Sequence, residues 1–359
     1  MENLKIKKNN PSSSLNFCSI CESVINLLSD GILILDKDGY PILANPSFKK
    51  MFNLEEEINN QHFEKFFIHP ELIELIKNHF SEKKELTKEI EINQEEKTFY
   101  YTVRILPLFF ENNFIASVVI IRDITKIIQL ENVRKEFVAN VSHELKTPLT
   151  AIKGYVETLL DGDLKDPELT KNFLEIIKNQ TNRFILLVED LLTLSRIEFK
   201  DIKVVKRWVL IEKIIDEAFD LVKDKASQKG LVLKKEIKIH EKIYTDPNRL
   251  SQILINLVDN AVKFTKKGEV VVKFYKNDSE FILEVKDTGI GIPKKFLHKI
   301  GERFFRADPS RSRKRGGTGL GMAIVKHLVK LLNYRMKIES EEGKGTTVKI
   351  FIPSSEKTS

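Results

Sequence analysis

The feature that most constrains this chain is a long stretch of helical periodicity in its middle third. Between residues 126 and 199, apolar side chains recur at spacings of three and four, and the series is interrupted once, at Asp161-Gly162-Asp163. This spacing predicts two helices, one ending near Leu160 and one over 168–199, each with one apolar stripe. A single helical hairpin leaves much of that surface open to water, so the pattern predicts a dimeric four-helix bundle built from two chains. The stripe of the second helix consists of Phe173, Ile176, Ile177, Gln180, Phe184, Leu187, Asp190, Leu191 and Leu194.

Strand-like segments separated by short helices precede this helical stretch. Strands are predicted at 32–35, 40–44, 88–93, 98–108 and 114–122, with helices between the second and the third. A turn signal, Asp36-Lys37-Asp38-Gly39, joins the first two strands, and Asn45-Pro46 marks a helix start. This order of elements, with the exit sequence Asp123-Ile124-Thr125, resembles that of PAS sensor modules. The resemblance implies an α+β sensor domain.

Helices and strands alternate in the remainder of the chain, residues 204–352. Helices are predicted at 211–229, 247–264 and 318–332, and strands at 231–237, 270–275, 281–285, 335–340 and 346–352. Asp246-Pro247 favours a helix start, because aspartate caps the first turn and proline fits its first position. Helices on one face of a mixed sheet form a two-layer α/β sandwich. The whole chain is therefore expected to be multidomain.

Composition narrows the classes of protein to consider. Of 359 residues, 42% are hydrophobic and 31% charged, as in folded globular proteins. Two cysteines cannot form a disulfide framework, and no apolar stretch approaches the roughly 18–20 residues that span a bilayer. The first 16 residues lack the apolar segment of a secretory signal, so we expect a cytoplasmic chain or the cytoplasmic part of a membrane-anchored one. The net charge of +7 is spread along the chain, which does not favour direct nucleic-acid binding.

A histidine lies inside the first long helix, in the sequence Ser142-His143-Glu144-Leu145-Lys146-Thr147-Pro148-Leu149. A lone helical histidine is usually solvated or packed. Here Pro148 frees the carbonyl of Glu144 and bends the helix at a cost on the order of 3 kcal/mol, which indicates a functional bend. A neighbouring carboxylate can fix the imidazole tautomer and leave the other nitrogen nucleophilic. Residues 137–150 resemble the acceptor box of the dimerisation and phosphoacceptor domain of sensor histidine kinases, most closely the phosphate-regulon type.

Further polar and glycine-rich motifs follow in the last third of the chain. Asn256, Asn260 and Lys263 lie on one helix face, where amide oxygens suit Mg²⁺ and the lysine suits phosphate. Asp287-Thr288-Gly289-Ile290-Gly291 follows a strand, so its backbone can approach a flat base and Asp287 can accept from an exocyclic amine. Gly316-Gly317-Thr318-Gly319-Leu320-Gly321 precedes a helix, whose exposed amides suit a phosphate chain. Each motif alone is weak evidence, since polar stripes and glycine-rich loops usually have no such role.

In this order the three motifs resemble the N, G1 and G2 boxes of the GHKL ATP-binding fold of histidine kinases, gyrases, heat-shock chaperones and mismatch-repair ATPases. Residues 302–306 are similar to the F box of the kinases, and 343–346 to the closing strand turn. The resemblance implies ATP and Mg²⁺, with Asn260 and Asn256 on the metal, Lys263 on phosphate and Asp287 on adenine. It places the ATP lid between Pro293 and Thr318, with a basic run at 311–315. The other nucleotide contacts it implies are Gly289, Gly291, Arg306, Gly317, Thr318, Gly319, Leu320, Gly321 and Thr346.

The resemblance implies a sensor histidine kinase that phosphorylates itself on His143 and then an aspartate of a response regulator receiver domain. It further implies a homodimer and a small-molecule or protein signal at the PAS domain. Glu144 would take up or orient the second imidazole proton. Thr147 would orient water for dephosphorylating the regulator, unless it merely caps or packs before Pro148. Two alternatives stay open: a GHKL ATPase of chaperone or clamp type, and a signal-binding scaffold with an inactive kinase.

The expected domains are a polar tail at 1–16, a PAS-like sensor at 17–125, the dimerisation and phosphoacceptor domain at 126–200, and the GHKL ATP-binding domain at 204–354. Cys18 and Cys21 could bind a metal or sense redox state, but inert packing is the commoner outcome for such a pair. Surface positions are expected for His62, His69 and His79, in preference to haem ligation. Core positions are expected for Phe63, Phe66 and Phe67.

Overall fold

The computed structural model describes residues 11–54, 58, 61–67, 69–94, 97–162, 166–198, 203–277, 279–307 and 317–354. The chain divides into two compact units, residues 1–136 and 137–359. Predicted features at the start of the polar tail, at turn residues 163–165, in the basic lid run 311–315 and at Gly316 lie outside the described residues. In the described ranges, no helix has both the length and the apolar character needed to span a membrane.

The first unit contains an antiparallel five-stranded sheet with helices inserted after its second strand, as predicted. The strands are β1 (Gly31–Asp36), β2 (Pro41–Ala44), β3 (Leu86–Gln94), β4 (Lys97–Phe110) and β5 (Asn113–Asp123), in the order β2-β1-β5-β4-β3. The helices are α1 (Pro11–Leu27), α2 (Pro46–Met51), α3 (Phe63–Phe66) and α4 (Pro70–Glu82). Asn45 caps α2 by accepting a hydrogen bond from the Phe48 amide, which explains why the Asn-Pro pair predicts this helix start.

The core of this unit contains the three predicted phenylalanines, but it also contains His79, contrary to the expected surface position. The exposed fraction of His79 is 0%. Its Nδ1 lies 2.6 Å from the Lys84 carbonyl oxygen and its Nε2 lies 3.0 Å from Ser117 Oγ. His79 falls on the apolar stripe of α4, one turn after Leu75 and Ile76, and burial lowers its pKa. The surface prediction was wrong because neighbours on β5 and after α4 satisfy both ring nitrogens.

Two further histidines of the first unit, His62 and His69, are half-buried and so keep part of their side chains at the surface. The prediction for one cysteine changes. Cys21 is a free, exposed thiol on α1, so the expected packing does not hold for it. The side chain of Cys18 lies outside the described residues.

Two long helices, α5 (Thr125–Asp161) and α6 (Pro167–Glu198), form the predicted hairpin. The predicted stripe of α6 is half-buried along its length, and Leu187 and Leu194 on it are fully buried. Other large apolar side chains on the two helices stay exposed, among them Leu149, Leu160, Leu174, Ile185, Leu186 and Leu192. A second pair of helices would cover such a surface, as the predicted bundle requires.

The rest of the second unit is a mixed sheet with helices, in agreement with the predicted sandwich. Its sheet has the order β11-β12-β10-β9-β7, in which β7 and β9 are parallel and the other neighbours antiparallel. These strands are β7 (Val232–Ile237), β9 (Glu269–Lys276), β10 (Glu280–Asp287), β11 (Arg335–Glu341) and β12 (Gly345–Pro353). The helices are α7 (Ile211–Gln228), α8 (Pro247–Phe264) and α9 (Gly321–Leu331), and a 3₁₀ helix covers Lys294–Lys299. Asp246 caps α8 through the amides of Asn248 and Arg249, as its sequence predicts.

Two local features of this sandwich differ from the predictions. Strands β6 (Arg207–Leu210) and β8 (Lys242–Thr245) pair as a separate two-stranded sheet that was not predicted. Four-residue strands contain too few alternations to be recognised from a pattern. Helix α9 begins at Gly321 and not at Thr318, because Gly319 has φ +77° and so cannot continue a right-handed helix.

Candidate functional site

The predicted acceptor lies on the exposed surface of α5, beside a carboxylate that already has partners. His143 is exposed and Glu144 is half-buried. Glu144 Oε2 accepts hydrogen bonds from Nη2 of Arg183 and from Nη2 of Arg306, each at 3.1 Å. These three side chains are only 9–17% exposed, so water screens their attraction less than it would at the surface. The sequence analysis assigned Glu144 to the imidazole and did not find these arginine contacts.

Thr147 lies one helical turn after His143 on the same face of α5. Its hydroxyl donates a hydrogen bond to the His143 carbonyl oxygen at 3.0 Å, and the residue is exposed. The hydroxyl proton is therefore used within the helix, whereas the oxygen lone pairs can still accept a hydrogen bond from water. Pro148, the next residue, is buried inside the helix.

The predicted nucleotide residues come together around one cavity of about 1290 Å³ in the second unit. Gly289 and Leu320 do not line it: Gly289 is buried beneath its wall, and Leu320 is fully buried in the core. The cavity also extends along α7 and β6, so it offers more room than one nucleotide fills. The predicted residues that do line it are Asn256, Asn260, Lys263, Asp287, Gly291, Arg306, Gly317, Thr318, Gly319, Gly321 and Thr346.

The two asparagines lie on the face of α8 that meets the start of α9. Asn256 Nδ2 donates to the Gln252 carbonyl at 2.9 Å. Its Oδ1 points at Gly321, where a Cβ atom would lie only 2.8 Å from that oxygen. A side-chain amide held through its nitrogen presents its oxygen, which is the ligand type that Mg²⁺ prefers. The donor set therefore fits the predicted metal.

Asp287 ends β10 at the closed side of the cavity. Its Oδ1 accepts hydrogen bonds from the amides of Gly289 at 2.8 Å and Thr346 at 3.3 Å, since Thr346 lies opposite Asp287 in the β10–β12 register. Burial raises the pKa of Asp287, and the two amide hydrogen bonds act in the opposite direction. A carboxylate fixed through one oxygen can use its other oxygen to accept from the amine of a base.

The glycine-rich loop, residues 317–321, passes over Lys263 and contacts α6. A Cβ atom at Gly317 would lie 2.7 Å from Lys263 Nζ, so the backbone of the loop and the end of the lysine side chain are in close contact. Arg306 Nη2 donates to the Gly317 carbonyl oxygen at 2.6 Å. Thr318 Oγ1 donates to Asp190 Oδ2 on α6, also at 2.6 Å. Arg306 and Asp190 thus contact the loop in which phosphate binding is predicted.

Lys263 is the predicted phosphate contact, and its environment disfavours the charged form. Burial lowers the pKa of Lys263 to about 8, with Arg306 adding to this and Asp259 opposing it. An ammonium with this pKa carries its charge much more readily when an anion lies beside it. The cavity therefore favours an anionic group at this point.

Several functional candidates that lie on α6 escaped the sequence analysis. Arg183 has no signal of its own, and Asp190 was recognised only as a member of the buried stripe. Glu198 on α6 forms an ion pair with Arg303, whose guanidinium lies 4.9 Å from the centre of the Phe137 ring. A carboxylate on a mostly apolar stripe was the one available sign that Asp190 has a polar partner.

Three stretches of the chain match known protein families. Residues 29–126 match a PAS domain, and residues 133–200 match the His Kinase A (phospho-acceptor) domain. Residues 245–356 match the family described as histidine kinase-, DNA gyrase B- and HSP90-like ATPase. Together these matches cover both compact units.

Curated relatives with the same order of domains are sensor kinases. WalK of Staphylococcus epidermidis is 34% identical over 343 residues, which are 92% of this chain and 54% of that protein. WalK of Bacillus subtilis is 32% identical over 93% of this chain and 55% of its own length. A WalK sequence from Staphylococcus aureus is 34% identical over 92% of this chain and 80% of its own length. The chain thus spans about half the length of most of these relatives.

Solved structures of histidine kinases have a similar fold. AdeS of Acinetobacter baumannii has a TM-score of 0.50 at 26% identity, covering 60% of this chain and 98% of that one. ThkA, solved in complex with the response regulator protein TrrA, has a TM-score of 0.51 at 22% identity, covering 95% and 99%. At that identity the likeness to ThkA concerns the fold alone.

Proposed function

The chain belongs to the sensor histidine kinases, and from that premise we propose that it transfers the γ-phosphoryl group of ATP to His143 and then to an aspartate of a response regulator. The observation that carries this proposal is the collection of Asn260, Lys263 and Asp287 around one cavity, in the same compact unit as an exposed His143. Neither the cavity nor the exposed histidine would be sufficient alone to support this proposal. A nucleotide cavity without an acceptor would support an ATPase of another kind, and an acceptor without a cavity would support a phosphotransfer module.

The proposed reaction is an in-line displacement at phosphorus. One imidazole nitrogen of His143 forms a bond to the γ-phosphorus atom while the bond to the β–γ bridging oxygen breaks, and ADP leaves with that electron pair. Glu144 orients the second ring nitrogen or accepts its proton. Because the hydrogen bonds from Arg183 and Arg306 both go to Glu144 Oε2, the other oxygen of the carboxylate is the one proposed to serve the imidazole. Catalysis then consists mostly of positioning and charge neutralisation.

Different side chains in the cavity contact different parts of the nucleotide. Asp287 accepts from the adenine amine, and Gly291 allows the backbone of its loop to approach the base. Lys263 and Arg306 contact phosphate oxygens, and the amides of residues 317–321 lie at the start of α9, where a helix favours anions. The oxygens of Asn260 and Asn256 would hold Mg²⁺, which neutralises phosphate charge when it is bound.

Two partners and the domain boundaries form part of the same proposal. We propose a homodimer, because large apolar side chains on α5 and α6 remain exposed in the single chain. We propose a receiver domain as the second partner, docking along the helices near His143, and a small-molecule or protein signal at the PAS domain. The proposed domains are residues 17–125, 126–200 and 204–354.

Labelling with γ-³²P-ATP tests the proposed activity directly. The expected product is a protein-bound label that survives base and is lost in acid, as a phosphoimidazole is. An acid-stable label, or tight ATP binding with no label, would contradict the proposal, and the second result would favour a signal-binding scaffold. Transfer of the label to a purified receiver domain tests the second step.

A further inference from the structure

Asp190 places a carboxylate near Lys263 and the glycine-rich loop, in the part of the cavity that is suited to anions. It lies on α6, lines the same cavity as Lys263 and Thr318, and is half-buried. Its Oδ2 accepts a hydrogen bond from Thr318 Oγ1 at 2.6 Å. Because a hydroxyl has a single proton to donate, the Thr318 hydroxyl cannot donate to another group while it is bonded to Asp190. The side-chain hydroxyl that the glycine-rich loop could offer to a phosphate is therefore in use.

The charge of Asp190 and the charge of a nucleotide oppose each other at this point. A triphosphate brings several negative charges into a half-buried site, where repulsion is stronger than in water. Burial raises the pKa of Asp190, while the hydrogen bond from Thr318 and the charge of Lys263 favour its ionised form. A phosphate that approaches Lys263 would compete with Asp190 for the hydrogen bond from Thr318 and for the positive charge of Lys263.

We propose that Asp190 is a positioning residue that holds the glycine-rich loop against α6 until the phosphates of the nucleotide displace it, and that it thereby sets the affinity for ATP. This inference rests on the proposed function, in which the cavity binds ATP. Asp190 touches no reacting atom in this scheme. It acts through Thr318, and ATP must break their hydrogen bond in order to bind.

The contacts of Arg306 extend the effect of ATP binding beyond the hydrogen bond between Thr318 and Asp190. Arg306 Nη2 bonds both Gly317 and Glu144, so the loop is connected to α5 as well as to α6. When Thr318 donates to a phosphate and no longer to Asp190, the loop is released from α6. Gly317 and the Arg306 side chain bonded to it can then move together. Release of Arg306 would leave Glu144 with Arg183 alone and thus more available to His143.

Nucleotide binding by variants of the whole chain tests the role of Asp190. Asp190→Asn keeps an oxygen acceptor for Thr318 and removes the charge, and Asp190→Ala removes both. Affinities are measured by calorimetry for ATP, ADP, AMP and adenosine. We expect both variants to bind ATP about five-fold more tightly or better, which is the lower range of site-to-site coupling. This gain in affinity should become smaller with each phosphate that the ligand lacks, and it should vanish for adenosine.

The matched control is Glu189→Gln, which removes the same charge from the neighbouring exposed residue of α6. It should leave all four affinities within about two-fold of the parent, because exposed charges are screened. Unchanged ATP affinity in both Asp190 variants would overturn the inference. So would weaker ATP binding, which would make Asp190 a helper of the nucleotide or its metal, or an equal gain for adenosine, which would indicate a general change in the cavity.

The same experiment separates this inference from the proposed function. A parent chain that binds no ATP contradicts the proposed function and the inference with it. A parent that binds ATP, with Asp190 variants that bind it equally well, contradicts the inference alone. A parent that binds ATP but takes up no phosphate contradicts the proposed activity while the role of Asp190 in binding stands.

Discussion

The acceptor face of α5 and the nucleotide cavity are built in opposite ways. His143, Glu144 and Thr147 lie within one turn and a half of a single helix, and His143 and Thr147 are exposed. The cavity gathers its residues from α6, α8, β10, β12 and the loop before α9. Asp287, for example, is buried and is held by amides up to 59 positions away in the sequence. One region is a local motif displayed to solvent, and the other exists only after the unit has folded.

This difference predicts which measurable properties a substitution can change independently of one another. A substitution on the acceptor face should remove chemistry without changing nucleotide binding. A substitution in the cavity should change nucleotide binding or turnover without changing the helical hairpin. The contacts of Glu144 and Thr318 across the two regions are the places where this separation is expected to fail.

The largest effect is expected for His143→Gln, which should abolish acid-labile labelling. Glutamine is polar and helix-compatible but forms no phosphoimidazole, so ATP binding should stay within about two-fold of the parent. Labelling with γ-³²P-ATP and calorimetry measure the two properties. His240→Gln, at another exposed histidine, is the control. Acid-labile label on the His143 variant would show that the acceptor lies elsewhere.

Next in size is Asn260→Asp, which should lower the rate of autophosphorylation by about 100-fold, as loss of one positioned electrostatic group does. The size of the oligomer should not change, because the apolar surface of α5 and α6 is untouched. Rates come from labelling and oligomer size from sedimentation. Asn179→Asp makes the same chemical change on the exposed surface of α6 and should have little effect. Equal rates for the Asn260 variant and the parent would refute its role.

Thr147→Ala should separate two activities of the acceptor face itself. Autophosphorylation should stay within a few-fold, whereas dephosphorylation of a phosphorylated receiver domain should slow by about 10-fold, the low range for a positioned catalytic group. The assay follows decay of the purified phosphorylated receiver domain with added kinase and nucleotide. Thr158→Ala, which loses the same type of hydroxyl-to-carbonyl bond on α5, is the matched control. A parallel loss of both activities would favour a packing role for Thr147.

The smallest effect concerns the pH dependence of ATP affinity. Because burial lowers the pKa of Lys263 to about 8, phosphate binding must bring a proton onto it above that pH. Affinity should therefore fall by about eight-fold from about pH 7.5 to about pH 9. Lys263→Arg should flatten this profile, since a guanidinium stays charged throughout. An equally steep profile in the arginine variant would assign the proton to another group.

Most of the fold could be predicted because its elements have strong local periodicity. The long helices of the hairpin, the strands of both sheets and the caps at Asn45 and Asp246 are all visible in short stretches of sequence. The predictions failed where a neighbour distant in sequence decides the outcome. His79 is buried because β5 offers Ser117. The late start of α9 has a local cause instead, since the chain turns at Gly319, whose φ is +77°.

The candidate site divides in the same way. The sequence alone determined which residues are the candidates for chemistry, since His143, Asn260, Asp287 and the glycine-rich loop belong to contiguous motifs whose spacing reflects local backbone geometry. Only the tertiary structure decided their partners. It placed Arg183 and Arg306 on Glu144 and put Asp190 on Thr318, 128 positions away in the sequence. Local spacing cannot encode such pairs, because the distance between two side chains on different elements depends on how those elements pack, and packing is a property of the whole folded unit.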